Sequence, residues 1–361
     1  MTDSFRQLLQ ASELDASLRA DAPERWQQVW SALEYQSVAC DAAMLDYQHA
    51  YFRGAGWQIH DLSLVLQVDG KPCGLWPLSL GGPGDERRLT SAGAAIQAPV
   101  FVDGLSPRTV KKICTRLRQL IARLVDSDGC PLPLFEQAAQ PGAGGLGMTE
   151  WHQQLIAAGA TTLVRHDLYA DLRPALADIR ASFRKSFRPL INVGLRNWQV
   201  SVLAQAGIDV AVWNEFKQLH VTVAGRSTRS DETWARQFDM IAAGVAFLVA
   251  LRDPADQRLV GAGFFQHSRD EGLYAVGAYD RSLFDKPLGH AVQQLAIETL
   301  KTQGVSWYRV GERHLAQDLP RPSDKELSIA AFKQGFASHM FCRYQFQLPA
   351  SMPDESAEAS E

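Results

Sequence analysis

Two hydrophobic periods alternate along this chain. Over residues 107–128 the apolar positions Val110, Ile113, Leu117, Leu120, Ile121 and Leu124 follow helical spacing, with Ser106 placed to cap and Pro107 at the first position. The same period returns over 286–303, where Leu288, Ala291, Val292, Leu295, Ala296, Thr299 and Leu300 face inward and Gly304 ends the run. Further helices are expected at 26–35, 40–53, 149–158, 213–223 and 328–332, and after Ser230, an N-cap followed by Asp231 and Glu232. Apolar runs bounded by turn residues read as strands. Asp69-Gly70 joins 62–68 to 72–80, the turn 253–257 joins 246–250 to 259–266, and single strands are expected at 161–169, 273–280, 305–312 and 340–348. This mixture predicts an α/β (α+β) fold of mostly antiparallel, mixed sheets flanked by helices.

The pattern also repeats. Lys71–Gly74 aligns with Arg258–Gly261, Leu89–Ala94 with Leu273–Ala278, and the Pro107 helix with the Pro287 helix, at a roughly constant offset. Each repeat is hairpin, strand, helix, strand, so a duplicated domain is expected. The boundaries read as a peripheral segment 1–22, a first domain 23–148, a second domain 149–350 and a disordered acidic tail 351–361. Gly-rich Pro141–Gly147 reads as a linker and lacks nucleotide-loop spacing.

Between the repeats lies a basic stretch, Asp171 to Val200. On helical spacing Arg180, Arg184 and Arg188 recur every fourth position with Lys185 beside them, next to an apolar stripe of Ile179, Phe183, Phe187, Leu190 and Ile191. Pro189 should kink or stop that helix. Guanidinium forks match phosphate oxygens, which makes Arg184, Lys185 and Arg188 candidate phosphate contacts.

Composition narrows the class. Of 361 residues 46% are hydrophobic and 21% charged, with net charge −4, as in a soluble globular protein large enough for two cores. The charge balance disfavours general nucleic-acid affinity while leaving room for a local basic patch. No apolar run approaches the ~20 residues of a membrane helix, and the first residues lack a signal peptide's apolar region, so a cytoplasmic location is expected. Five dispersed cysteines read as core residues in a reducing compartment, and the histidines lack ligand spacing, so no metal is assigned.

Several residues carry candidate chemistry. His220 ends a helix before the GRSTRS loop (Gly225–Ser230), where an imidazole can titrate near neutrality and act as a base, or simply meet the terminal carbonyls. Arg226 and Arg229 flank two hydroxyls and suit a phosphate or carboxylate. Glu312 stands at a strand end, able to accept a proton or to pair with Arg309 or Arg313.

The order hairpin, glycine-containing strand, helix resembles a GNAT acyltransferase core. Two such cores joined by FRKSFRPLINVG and followed by FKQGF (Phe332–Phe336) resemble the FemAB family of tandem GNAT-like acyltransferases, which includes aminoacyltransferases of peptidoglycan bridge synthesis. The resemblance covers about 160–345 well and 25–140 by element order. It implies a donor pyrophosphate at the loop Lys286-Pro287-Leu288-Gly289-His290-Ala291, Lys333 near donor phosphate or developing negative charge, and Tyr274 and Tyr279 bordering the strand that admits the acyl group. Acyl-CoA is the implied donor and aminoacyl-tRNA its rival. The acceptor is expected to be a small amine, phosphorylated or nucleotide-linked, of a sugar or cell-envelope precursor, attacked directly without a covalent enzyme intermediate. A non-catalytic glycan- or nucleotide-binding module is the second class of reading.

Overall fold

A computed structural model describes residues 2–138, 141, 148–207 and 209–349. Linker residues 142–147 and the tail 351–361 therefore lie outside the described residues. Two compact units form: Met1–Tyr35, Ala55–Val164 and Cys342–Glu361 make the first, Gln36–Gly54 and Arg165–Phe341 the second.

In the first unit Ser106 accepts from the Thr109 amide and Pro107 opens the helix Pro107–Asp128, as its spacing predicts. Its apolar face packs Ile113, Leu117, Leu120 and Leu124 with Leu64, Leu66, Trp76, Phe135 and Phe346. Asp69 and Gly70 both take positive φ, 51° and 73°, and turn Leu64–Val68 into Lys71–Trp76. The expected strand 72–80 does not run through. It stops at Trp76, and Ser79–Pro83 pairs instead with Trp57–Asp61. Pro77 lies at that break and has no N–H to donate to a ladder.

The second unit is a sheet covered on both faces. Its strands lie in the order Gln199–Leu203, Ala246–Arg252, Leu259–His267, Glu271–Tyr279, Trp307–Glu312 and the end of Thr161–Asp171. Neighbours are antiparallel except the parallel pair Glu271–Tyr279 and Trp307–Glu312. Alternate residues of one strand serve opposite cores. Phe247, Val249 and Leu251 pack with Val292, Ala296 and Leu300 of the helix Leu288–Thr302, whereas Ala246, Leu248 and Ala250 pack with Trp213, Phe216, Trp234 and Ile241 of the helices Val210–Ala224 and Asp231–Ala242. Double coverage is why these strands read as unbroken apolar runs.

The basic stretch departs from its predicted form. Helix Leu176–Ser182 ends before Phe183, and a new helix, Phe187–Asn197, begins after Ser186. Pro189 sits in the first turn of that second helix, where no intrahelical bond needs its missing N–H. Arg180, Arg184 and Arg188 therefore belong to a helix, a linker and another helix, not to one stripe.

Candidate functional site

The parallel pairing in the second unit is short. It covers Glu271–Leu273 against Trp307–Arg309, after which the two strands share no register. Each carries a bulge near that point. Against Leu259–His267, Phe264 faces Val276 and Phe265 faces Tyr274, leaving Ala275 as the extra residue. Against Thr161–Asp171, Leu168 faces Gly311 and Tyr169 faces Arg309, leaving Val310. A bulge bends its strand and re-aims side chains, so the two strand ends have a local reason to part.

Tyrosines and a lysine fill this region. Tyr274 stacks on Phe265 at 5.2 Å and brings its hydroxyl 3.1 Å from that of Tyr279. Gly277 lies beneath, because a β-carbon there would overlap the Tyr274 hydroxyl. Burial pushes the Tyr274 phenol up to about 12 and that of Tyr279 well above its ordinary value, so both act as neutral hydroxyls.

Lys333 arrives from the helix Asp324–Gln334, whose start is fixed by reciprocal bonds between Ser323 and Glu326. Its ammonium stands 5.6 Å from the Tyr274 ring centre and crosses the α-carbon of Gly311, where a β-carbon would strike it. Burial lowers the Lys333 pKa, as does Arg309, while Glu312 and Asp167 act the other way. Arg309 is itself tied at 3.0 Å to Asp167, which is fully buried. Neutral hydroxyls, a partly desolvated cation and the Glu312 carboxylate thus meet at the parting of two strands.

A second group surrounds the start of the helix Leu288–Thr302, which Pro287 caps without a side-chain hydrogen bond. A β-carbon at Gly289 would stand 3.0 Å from the Phe332 ring, a tight contact, and Gly194 lies under the Pro287 carbonyl and the Ala291 methyl. Ala291 is buried. His290 is a packing residue by its side chain: its ring meets Phe187 at 4.6 Å and Phe332 at 5.1 Å edge-on, and burial brings its pKa down to about 4. Lys286 is exposed and lies 5.3 Å from the Trp198 ring centre. Arg184 is committed to structure, its amide donating to the Gly335 carbonyl and its guanidinium to that of Ala331. Lys185 is exposed and Arg188 half-buried.

The third group lies at the GRSTRS loop. Arg229 donates to His220 Nε2 at 3.0 Å and to Thr228 Oγ1 at 3.1 Å. Burial and the neighbouring guanidinium bring His220 down to about 4, so this imidazole is neutral across the physiological range and does not titrate near neutrality. Arg226 is exposed. The structure therefore gathers Tyr274, Tyr279, Glu312 and Lys333 around one parting, places Lys286, Gly289, His290 and Ala291 together at a helix start, and pairs His220 with Arg229. Asp167, Gly277 and Gly311 were missed, and Arg309, expected beside Glu312, pairs with Asp167. Glycines inside strand patterns were the available signal, since they mark close approach of another group.

No sequence-family profile and no curated protein matches the chain. Solved structures do. FemX superposes with TM-score 0.62 at 12% identity, over 89% of this chain and 95% of that one. The fold is two GNAT-like domains in tandem. L-PGS from Bacillus licheniformis gives 0.57 at 13% identity, over 91% and 92% of the two chains. A tandem GNAT protein from the clavulanic acid biosynthesis pathway, in a form without AcCoA, gives 0.51 at 14%, over 94% and 100%. The resemblance drawn from FRKSFR and FKQGF is thus met by this shared architecture. Among the described residues no group of three or more His, Cys, Asp or Glu is placed to hold a metal, and no helix is long and apolar enough to cross a membrane.

Proposed function

We infer that the chain is an N-acyltransferase that moves an acyl group from acyl-CoA to the amino group of a sugar, nucleotide sugar or cell-envelope precursor by direct attack. The observation that carries this reading is the parting of Glu271–Tyr279 from Trp307–Glu312 with Lys333, Tyr274 and Tyr279 arranged around it. A thioester carbonyl at that place has neutral hydroxyls and a cation to stabilise the charge that develops on its oxygen. The neutral amine attacks, Glu312 accepts the proton that its nitrogen loses as the C–N bond forms, and the C–S bond breaks to release the coenzyme thiol. The donor's phosphates are assigned to the start of the helix Leu288–Thr302, which no side chain caps by a hydrogen bond, where first-turn amides and the helix dipole favour an anion and Lys286, Lys185 and Arg188 add charge.

Aminoacyl-tRNA is the rival donor, the one that the resemblance to the FemAB family also implies. The test is release of free thiol from acetyl-CoA in the presence of glucosamine and of UDP-glucosamine, followed by mass spectrometry of the amine. Turnover lost in Lys333→Ala supports the reading; no thiol release with either amine, together with acyl transfer from charged tRNA, replaces it by the rival.

A further inference from the structure

Arg229 is held in an unusual setting for a cation. Its guanidinium carbon lies 5.7 Å from the ring centre of Tyr51 and 5.3 Å from that of Trp234. Its hydrogen-bond acceptors are an imidazole nitrogen and a hydroxyl, both neutral. Among the described residues it has no carboxylate partner, although two carboxylates open the adjacent helix Asp231–Ala242. Each of those is taken by another cation: Asp231 by Lys217, and Glu232 by Arg53 at 2.9 Å. The Nε of Arg229 and the Nδ1 of His220 are both buried without a hydrogen-bond partner. Half-buried charges and buried N–H groups without partners are costly, and proteins ordinarily supply a counter-ion.

The loop is also fixed before any ligand arrives. Ser227 Oγ donates to the Arg229 carbonyl at 2.9 Å, and Ser230 caps the following helix by accepting from the Thr233 amide. Gly54 closes on Ser230 so tightly that a β-carbon would stand 2.7 Å from its hydroxyl. A guanidinium held between two aromatic faces, beside a rigid loop that also bears exposed Arg226, loses little freedom on binding.

We propose that Arg229 is the anchor of an oxyanion site, receiving a carboxylate or phosphate group of the acceptor amine, with His220 serving as its neutral positioning partner. This rests on the acyltransferase reading for the word acceptor; the anion site itself is tested without turnover. Arg229 supplies the charge, and the aromatic faces of Tyr51 and Trp234 hold it where Asp231 and Glu232 leave it unneutralised. A bound oxyanion offsets the positive charge that faces His220, and the imidazole then protonates more readily.

The test is NMR of the full chain with labelled histidine, the His220 ring signal assigned by its loss in His220→Gln. Inorganic phosphate and acetate are titrated separately, with ionic strength held constant by chloride. The expected result is a saturable shift of the His220 signal and a His220 pKa raised at saturation, both lost in Arg229→Gln and kept in Arg226→Gln with affinity weakened about threefold. A response to phosphate alone assigns a phosphorylated acceptor, and a response to acetate as well assigns a carboxylate. Shifts that persist in a folded Arg229→Gln protein, or no response to either anion, overturn the proposal. Saturable binding without any acyl transfer keeps the site and removes the acyltransferase reading.

Discussion

Lys333 lies across the bare α-carbon of Gly311, and Gly311 itself adopts φ of 146°, a value that L side chains rarely take. The strand residue and the helix residue thus specify each other. Gly311→Ala displaces the ammonium and strains the strand. We expect kcat to fall about a hundredfold, the scale of losing one stabilising donor in a transition state. Thermal melting shows a folded protein with a lower midpoint.

Lys333 illustrates a site that works against stability. Burial and Arg309 hold its pKa below the ordinary lysine value, so between the two values the unfolded chain binds a proton that the folded chain does not. Stability therefore rises as pH climbs through the folded pKa towards that of the unfolded chain. Lys333→Met removes this dependence, raises the melting midpoint at neutral pH and lowers kcat by about two orders of magnitude. A melting midpoint that falls in this variant, measured from pH 7 to 10, contradicts the assignment.

The same sign of linkage acts at lower pH. His220 and His290 fall from an ordinary 6.5 to about 4 in the folded chain, chiefly by burial. Each contributes stability that is fully present above pH 6.5 and is lost as pH falls towards 4, because only the unfolded chain takes up the proton. Urea melts at pH 7.5 and 5 should show that loss. It should shrink in His290→Gln relative to the same variant's own stability at pH 7.5.

The three basic residues of the central stretch should separate. Arg184→Ala removes the bond to the Ala331 carbonyl and the guanidinium 5.1 Å over Phe187, so it costs about 1–2 kcal/mol in chemical denaturation. Lys185→Ala and Arg188→Ala should leave stability within about 0.5 kcal/mol and weaken donor binding severalfold. Equal destabilisation by all three makes the stretch a brace and nothing more.

Much of the second unit was legible because its signals are local. Unbroken apolar runs, the turn at 253–257 and the Ser230 cap each act within a few residues, and the strands expected at 246–250, 259–266 and 273–280 formed within two residues of those ends, whereas the edge strand Gln199–Leu203 was not foreseen. The break at Phe183–Ser186 was not legible, since helical spacing continues through it. It follows from tertiary contacts: Phe187 sits among His290, Phe332 and Phe336, and the Arg184 amide is drawn to the Gly335 carbonyl. Gly335 in turn has no space for a β-carbon beside Phe187. The site was half visible for the same reason. Lys333 and Tyr274 stood in recognisable patterns, whereas the strand register that brings them to one parting is a property of the folded sheet.

The central claim is that the parted strands and the helix start beside them receive an activated acyl donor. Isothermal titration of the pure chain with acetyl-CoA tests it most directly, with charged tRNA as the parallel titrant. The account predicts saturable one-to-one heat from acetyl-CoA, weakened about tenfold in Lys286→Ala/Lys185→Ala. Heat from charged tRNA alone transfers the claim to the rival donor, and heat from neither contradicts it.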